Sequence, residues 1–340
     1  MVDPSKLVYD NNNWQVHLEL AETKKKLELN IDTGRYNLVV NCEKCFDCEI
    51  KIVQRETVTI VGLLYSKVLD LDVLRLDIEN SDLSLIEINS ISEIFIKKCT
   101  RLNKLKGTIK SVYFDGMSDF QGFHKLRYKT LIFRNMEYLP LIQNSTVKSL
   151  YILNLANSDL SNINCPNLRS LTIEESRITG EFPNVDLHVD ECNLAKLDYT
   201  FQITPNVKSI HITNTLLESI TIENKDHKLE FLEIQNNQIK HLKIKDPRNI
   251  CINVKNNQLQ SLPNFRFTER IPTLEDIKTL KDINYVIKEL SYITRYGIEA
   301  SNNPLVYPNG EKYDPKTDII DYCLECERQL RDMKKKSAAK

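Results

Sequence analysis

The chain has 340 residues, of which 41% are hydrophobic and 27% are charged, and its formal net charge is -1. This is the composition of a folded globular protein, and the balanced charge argues against nucleic acid as the main partner, which would need a basic face. The sequence has no apolar run of about 18 residues and no signal-peptide pattern, so we expect no membrane span and no membrane partner.

Cysteine usage indicates the cellular compartment. The nine cysteines are an odd number, and most of them lie singly among apolar residues. Disulfide frameworks of secreted domains instead use even sets of cysteines at regular spacing. We therefore expect reduced, buried thiols and a cytoplasmic protein.

The first segment, residues 1–54, is expected to form an N-terminal β cap. Apolar and polar residues alternate at 14–20 and 27–31, which is the pattern of strands with one buried face. Asp-Thr-Gly at 32–34 is typical of a turn between strands. The segment that follows is repetitive, and a repeat array exposes its core at each end unless a cap covers it.

A short phrase recurs about every 20 residues over 55–265. The clearest copies are L-x-x-L-x-I-x-x-N-x-I at 229–239 and I-x-V-x-x-N-x-L at 252–259. A fixed short period predicts a solenoid, with two apolar residues of each strand facing the core. The second of these apolar residues is, in chain order, Ile60, Ile78, Ile96, Phe114, Phe133, Leu155, Ile173, Val189, Ile212, Ile234 and Val254.

The third residue after each core position is usually small and able to form hydrogen bonds. Such side chains can satisfy backbone groups that a tight turn would otherwise bury unpaired. The position is occupied by Ser81, Cys99, Ser158, Ser176, Cys192, Thr215, Asn237 and Asn257, with Met117 and Met136 as departures.

This phrase resembles the leucine-rich-repeat consensus L-x-x-L-x-L-x-x-N/C-x-L. The resemblance covers about 55–265 and is most marked from 150 onward. It implies an α/β solenoid, an arc of short repeats with a parallel, concave β-sheet, and the family generally binds proteins on that face. Because repeats this short leave little room for helices, we expect extended or 3-10 segments on the convex side. The abundance of Ile, Asn and Lys is typical of an AT-rich coding sequence, as in a large DNA virus or a protist.

The period breaks after residue 265. Residues 266–312 are expected to form a terminal repeat that contains a helix at about 273–296, after which the phrase returns at 298–305. Apolar residues at helical spacing predict another helix within 315–334. We therefore assign 313–340 to a C-terminal capping helix and a basic tail.

The strongest candidate for a metal site is the cysteine series Cys42, Cys45 and Cys48. Zinc would need a fourth ligand, which no spacing in the sequence specifies. We expect these cysteines to pack within a β-hairpin, with zinc binding as the alternative. Cys323 and Cys326 fall on the apolar stripe of the C-terminal helix and are expected to pack rather than to be redox-active.

No enzymatic activity is expected. About 75 residues follow residue 265, and part of them forms the last repeat, which leaves no room for a separate catalytic domain. With only eight glycines, the sequence contains no glycine-rich phosphate loop, and we expect no cofactor.

The expected binding surface consists of the residues that lie between the two apolar positions of each strand and point away from the core. Phe95, Tyr113 and Ile132 are three consecutive large apolar members of this series, and Arg134 lies at their edge. An aromatic centre with a charged rim is typical of a protein-binding hot spot.

The same series continues with His188, His211 and Glu233 on later strands. Equivalent positions on neighbouring strands lie about 5 Å apart, so the two histidines could share a metal ion or respond to pH. The simpler expectation is a solvated pair on the binding face.

We therefore expect a non-enzymatic module that binds a protein partner on its concave face. The alternative is a structural or scaffold component of an assembly, which would use the terminal helices and their Tyr285, Tyr292 and Tyr296 face. A monomer would favour the first function, and a stable oligomer would favour the second.

Overall fold

The described residues of the computed structural model form mainly a parallel β-solenoid. Two compact units are present, an N-terminal unit (Met1–Arg177) and a C-terminal unit (Ile178–Lys340). The described residues are 7–13, 15–20, 27–30, 36–43, 45, 49–53, 57–102, 105–117, 127–204, 207–224, 229–245, 250–262, 298–300, 302–307, 309–314, 325 and 328–329.

The N-terminal unit contains short strands joined by tight turns, with a single 3-10 turn described at Leu160–Asn162. Its strands are β1 (Leu7–Asp10), β2 (Gln15–Glu19), β3 (Leu27–Asn30), β4 (Asn37–Asn41), β5 (Glu49–Val53), β6 (Thr57–Val61), β7 (Leu64–Asp72), β8 (Arg75–Glu79), β9 (Asp82–Lys97), β10 (Arg101–Leu102), β11 (Leu105–Asp115), β12 (Thr130–Arg134), β13 (Ile142–Gln143), β14 (Ser149–Leu153), β15 (Ser158–Asp159), β16 (Ile163–Asn164) and β17 (Ser170–Glu174).

We call the longest parallel stack of this unit its front sheet. It runs in the order β2, β4, β6, β8, the C-terminal half of β9, the C-terminal half of β11, β12, β14 and β17. A second parallel stack contains β3, β5, β7 and the first half of β9. The strand β1 pairs antiparallel with β2. The parallel stack therefore begins at Gln15, inside the segment that we expected to be a cap.

The front strands bury alternate residues because successive side chains of a strand point to opposite faces. In β6 and β8, for example, Val58, Ile60, Leu76 and Ile78 are fully buried. The predicted core residues Ile96, Phe114, Phe133 and Ile173 are buried as well.

One predicted register is wrong. Leu155 is buried, but it lies in the turn after β14, and the buried residues of the strand are Leu150 and Ile152. The residue between the two core positions is therefore Tyr151, and Asn154 lies beyond the strand end. The error arose because Leu153-x-Leu155 matches the apolar pattern as well as Leu150-x-Ile152 does.

The C-terminal unit follows the same plan. Its front sheet stacks β19, β22, β24, β26 and β27 in parallel, and its second sheet stacks β21, β23 and β25. The strands are β18 (Arg177–Thr179, which begins at the unit boundary), β19 (Asp186–Asp190), β20 (Asn193–Leu194), β21 (Asp198–Gln202), β22 (Ser209–Thr213), β23 (Ser219–Glu223), β24 (Phe231–Glu233), β25 (His241–Lys245), β26 (Cys251–Asn253) and β27 (Ile298–Glu299).

The predicted helical cap is not supported. The helix expected at 273–296 lies outside the described residues, and so do Tyr285, Tyr292 and Tyr296. Within 315–334, the structure describes only residues 325, 328 and 329, which are helical. Among the described residues of the whole chain, extended structure dominates and helix is almost absent, so the solenoid is a β-solenoid rather than an α/β one.

From β6 onward, each front strand is followed by a residue with a positive φ angle, two positions after its core residue. The bend redirects the chain, and the backbone N–H of such a residue commonly donates to the next turn, as Asn135 does to Leu153 at 3.0 Å. Glycine and asparagine adopt this left-handed conformation most readily. The residues are Gly62, Asn80, Lys98, Gly116, Asn135, Asn154 and Glu175 in the N-terminal unit, and Glu191, Asn214, Asn236, Asn256 and Asn302 in the C-terminal unit.

The next residue along the chain satisfies the backbone of the turn, as predicted. The Asn237 side chain accepts from the Thr215 N–H at 3.0 Å and donates to the Ile212 carbonyl at 2.8 Å. Asn257 bonds the turn before it in the same way, accepting from the Ile239 N–H at 3.1 Å and donating to the Ile234 carbonyl at 2.6 Å. Buried amides therefore tie successive turns together.

Candidate functional site

The middle residues of the front strands form one continuous row across the N-terminal unit. Each is the direct register partner of the next, which is why their side chains share one face. From the first strand to the last, the row reads His17, Val39, Thr59, Asp77, Phe95, Tyr113, Ile132, Tyr151 and Thr172.

Phe95 and Tyr113 form the centre of this row. Their rings are stacked with centroids 3.9 Å apart and planes 10° from parallel. Both residues are half-buried, so the faces within the stack are covered while part of each side chain meets solvent. The pair therefore offers a rigid apolar surface.

A cation covers Phe95 on its other side. The Arg75 guanidinium lies 3.9 Å from the Phe95 ring centroid, which is the geometry of a cation–π contact. Arg75 also donates two hydrogen bonds to the Asp77 carboxylate, at 2.8 and 3.0 Å. This hydrogen bonding raises the pKa of Arg75 above its ordinary value. The Asp77 carboxylate, two residues along the same strand, thus holds Arg75 over the aromatic centre.

The structure corrects the predicted exposure of Ile132. It is 8% exposed, so the expectation that it is an open apolar contact residue is wrong. Its register partners are Tyr113 on one side and Tyr151 on the other. Two tyrosines are longer than the isoleucine between them, and this difference in length explains the burial. Ile132 supports the aromatic surface from below.

Tyr151 is the residue that the sequence interpretation missed. It is half-buried and continues the row beyond Ile132. The repeat period could have identified it. Ile152 follows Phe133 by 19 residues, the same spacing as in the preceding repeat, whereas Leu155 follows Phe133 by 22 residues. We call Phe95, Tyr113 and Tyr151, with Ile132 between them, the aromatic row.

The margins of the aromatic row are charged or polar. Arg134 is exposed at the end of β12, where it is the register partner of Asp115 and Leu153. Partial burial, reinforced by the nearby carboxylate of Glu93, raises the pKa of Tyr113. The Tyr113 hydroxyl is neutral at physiological pH, as that of an ordinary tyrosine is, and can donate a hydrogen bond.

The C-terminal unit carries a polar counterpart. His188 and His211 are register partners with ring centroids 6.0 Å apart, as predicted from their spacing. His211 Nδ1 lies 2.8 Å from Glu233 Oε2, and Glu233 Oε1 accepts from Gln235 at 3.0 Å and from Asn253 at 3.2 Å. The carboxylate of Glu233 thus joins three neighbouring side chains, and the surface is a hydrogen-bonded network rather than an apolar one.

The structure gives no candidate metal centre in the regions that it describes. Across those regions, no three His, Cys, Asp or Glu side chains converge in a way that could hold a metal ion. Cys42 and Cys45 are fully buried, and the Cys45 N–H donates to the Cys42 carbonyl at 2.8 Å. Cys48, Cys323 and Cys326 lie outside the described residues.

Among the described residues, no helix is both long enough and apolar enough to cross a bilayer. No protein-family model matches the chain, and no curated protein matches it in sequence.

Proposed function

We propose that the chain is a non-enzymatic interaction module that binds a protein partner on its front sheet, with the aromatic row as the main contact. The observation that carries the proposal is the Phe95–Tyr113 stack, extended by Tyr151 and covered at one end by Arg75. Binding energy at protein interfaces is concentrated in a few aromatic and arginine residues held in fixed positions.

The rigidity of the row favours this function. Binding immobilises side chains at a cost of about 0.5–1.5 kcal/mol for each flexible one. Phe95 is fixed between Tyr113 and Arg75 before any partner arrives. The Tyr113 and Tyr151 hydroxyls would supply hydrogen bonds within the row, and Arg134 would supply polar contacts at its margin. The His188, His211 and Glu233 network of the C-terminal unit would provide a separate, polar contact region.

We also propose that the solenoid belongs to the leucine-rich-repeat type and that the protein is cytoplasmic. The first proposal is supported by the buried amides of Asn237 and Asn257 and the half-buried amide of Asn303, which occupy the consensus asparagine position and bond the preceding turn. The second is supported by the described cysteines, which are all free thiols.

The direct test places a photoreactive amino acid, p-benzoylphenylalanine, at residue 151 and irradiates extracts of the source cell. Tyr138 provides the control, because it is a 49% exposed tyrosine of the same unit outside the front strands. The proposal expects a discrete protein adduct from position 151 that is absent from position 138. The same adducts from both positions would contradict it.

A further inference from the structure

A groove of about 970 Å³ opens in the N-terminal unit, at the edge where each turn enters its front strand. It is distinct from the aromatic row, none of whose residues lines it. Its volume is at the upper end of the range of small-ligand sites, which is about 300–1,000 Å³. The groove could therefore accept a compact molecule without any rearrangement.

Four cationic residues of the groove lie on consecutive turns. Lys110, Lys129, Lys148 and Arg169 each directly precede a residue of the paired series Ser111, Thr130, Ser149 and Ser170. Their backbones are bonded in sequence, from the Lys129 N–H to the Lys110 carbonyl at 3.1 Å, then from Lys148 to Lys129 and from Arg169 to Lys148, both at 2.8 Å. The cations are therefore repeated at about the 4.8 Å spacing of parallel strands.

The groove contains positive charge alone. A fifth cation, Arg127, also lines it, and its lining includes no aspartate or glutamate. The whole chain carries a net charge of -1, so these five cations are segregated rather than typical of the surface. All five side chains are exposed.

Described acidic side chains do not neutralise these cations. Within the described part of the chain, none of the five is in an ion pair, whereas Lys208, at the same position of a C-terminal repeat, pairs with Glu230 at 3.1 Å. Like charges held on adjacent turns repel one another. An arrangement that costs stability in the free protein indicates an anionic ligand that offsets the cost when it binds.

Neutral donors in the groove are held in place. The Asn167 side chain donates to the Ser145 carbonyl at 2.6 Å, and the Thr146 N–H donates to Asn144 at 2.8 Å. The loops that carry Lys148 and Arg169 are therefore fixed by side-chain bonds to their neighbours. Such preorganisation lowers the cost of binding a ligand.

The length of the cationic series limits the ligand. Three strand spacings correspond to about 14 Å, and on the turn before Lys110 the series ends at the uncharged Ser92. An extended nucleic acid would need a longer basic face. Beyond Ser92, Leu74 is 55% exposed and gives one end of the groove an apolar wall.

We propose that this groove binds a compact polyphosphorylated small molecule, with successive phosphate groups on Lys110, Lys129, Lys148 and Arg169. Arginine and lysine are the usual phosphate partners, and charge-assisted hydrogen bonds to phosphate are the strong ones. Two kinds of molecule carry such phosphates: inorganic polyphosphate, and a nucleoside polyphosphate whose nucleoside would also contact Leu74. The test includes both.

The experiment is isothermal titration of the full chain with inorganic tripolyphosphate, ATP and a 20-nucleotide RNA at 0.15 M salt. The proposal expects tripolyphosphate or ATP to bind and to raise the melting temperature, as any ligand of the native state does. Tighter binding of ATP than of tripolyphosphate would show that the nucleoside contacts the apolar wall. Equal binding would show that the groove recognises the phosphate chain alone.

The matched variants are Lys129→Gln/Lys148→Gln in the groove and Lys243→Gln/Lys312→Gln outside it, which remove the same charge. The groove variant should bind at least tenfold more weakly, while its melting temperature without ligand stays equal to or above that of the wild type. The control variant should bind as the wild type does. Failure of both phosphate probes to bind, equal weakening in both variants, or binding of RNA alone would overturn the proposal.

Discussion

The rings of Phe95 and Tyr113 stack at a centroid distance of 3.9 Å because the two residues are register partners on adjacent parallel strands. In a solenoid, a residue type repeated at the repeat period is placed directly above its copy. Stacking is therefore a consequence of sequence spacing, and the same rule aligns Tyr151 with Ile132. The period of the sequence thus builds the flat aromatic row to which we assign partner binding.

Core positions and surface positions of one strand should differ sharply in their effect on stability. Ile234 is fully buried, so Ile234→Ala should lower the free energy of unfolding by about 2–5 kcal/mol through the cavity it leaves. Glu233→Ala, one residue earlier on the solvent face, should cost less than about 1 kcal/mol. Urea unfolding of both variants measures the difference, and equal costs would refute the register.

The buried amide of Asn237 should be more important to stability than the exposed amide beside it. Asn237→Ala leaves the Thr215 N–H and the Ile212 carbonyl without their partner, and each unsatisfied buried group costs about 1–3 kcal/mol. Asn236 bonds only the exposed side chains of Asn214 and Asn256 through its own side chain, so Asn236→Ala should cost about 1 kcal/mol or less. Thermal melts that rank the two variants in the reverse order would contradict this role.

One exposed position should tolerate a stabilising change. Glu175 has a φ of 50°, a conformation that costs most residues about 1–2 kcal/mol and that asparagine adopts more readily. On the preceding turn, Asn154 donates to Asn135 at 2.7 Å, and an asparagine at 175 could donate to Asn154 in the same way. Glu175→Asn should therefore raise stability by about 1 kcal/mol.

The control for this prediction is Glu137→Asn, an exposed position of the same unit without a positive φ. Its melting temperature should stay close to that of the wild type. A similar gain in both variants would show that charge, rather than backbone conformation, is responsible.

The stability of the fold should decrease at alkaline pH. Burial raises the pKa of the Cys99 thiol to about 11, from an ordinary value of 9.0, and burial raises the pKa of Tyr199 to about 12. Each of these side chains keeps its proton in the folded state at a pH where it has lost that proton in the unfolded state. Their contribution to stability is therefore complete below pH 9 and is lost as the pH rises through about 9–11 for the thiol and 10–12 for the phenol.

Urea unfolding at pH 8, 9.5 and 10.5 measures this loss. The Cys99→Ala variant should be less stable than the wild type at pH 8, and the difference should narrow by on the order of 1 kcal/mol at pH 10.5. A difference that is constant across the three pH values would exclude the thiol as a source of the pH dependence.

Much of the fold could be predicted from residue spacing. The pairs of apolar residues around Ile78, Phe133 and Ile212 identify front strands, and the small residues after them identify turns that need side-chain hydrogen bonds. The left-handed position just before each of these small residues, such as Asn80 before Ser81, was not predicted, although the frequent Asn and Gly there are the signature of a positive φ angle.

The remaining features depend on packing between turns. Single-strand patterns could not show that Ile132 is covered, because its burial depends on the lengths of Tyr113 and Tyr151 on adjacent strands. The groove with its cationic residues could not be predicted for a related reason. Lys110, Lys129 and Lys148 are isolated in the sequence, and only the stacking of turns brings them together.

The central claim is that the aromatic row binds the partner, and quantitative mass spectrometry of captured proteins tests it most directly. The comparison uses the wild type, Phe95→Ala/Tyr113→Ala, and Tyr138→Ala/Leu141→Ala, which removes exposed apolar side chains of the same unit outside the aromatic row. A Tyr285→Ala/Tyr292→Ala variant tests the scaffold alternative.

The account predicts that the main captured protein is reduced at least tenfold with Phe95→Ala/Tyr113→Ala, since such anchors often contribute about 2 kcal/mol or more each. Capture by the Tyr138→Ala/Leu141→Ala variant should equal that of the wild type. Undiminished capture by the aromatic-row variant, together with loss in Tyr285→Ala/Tyr292→Ala, would contradict the account and assign the interaction to the C-terminal segment.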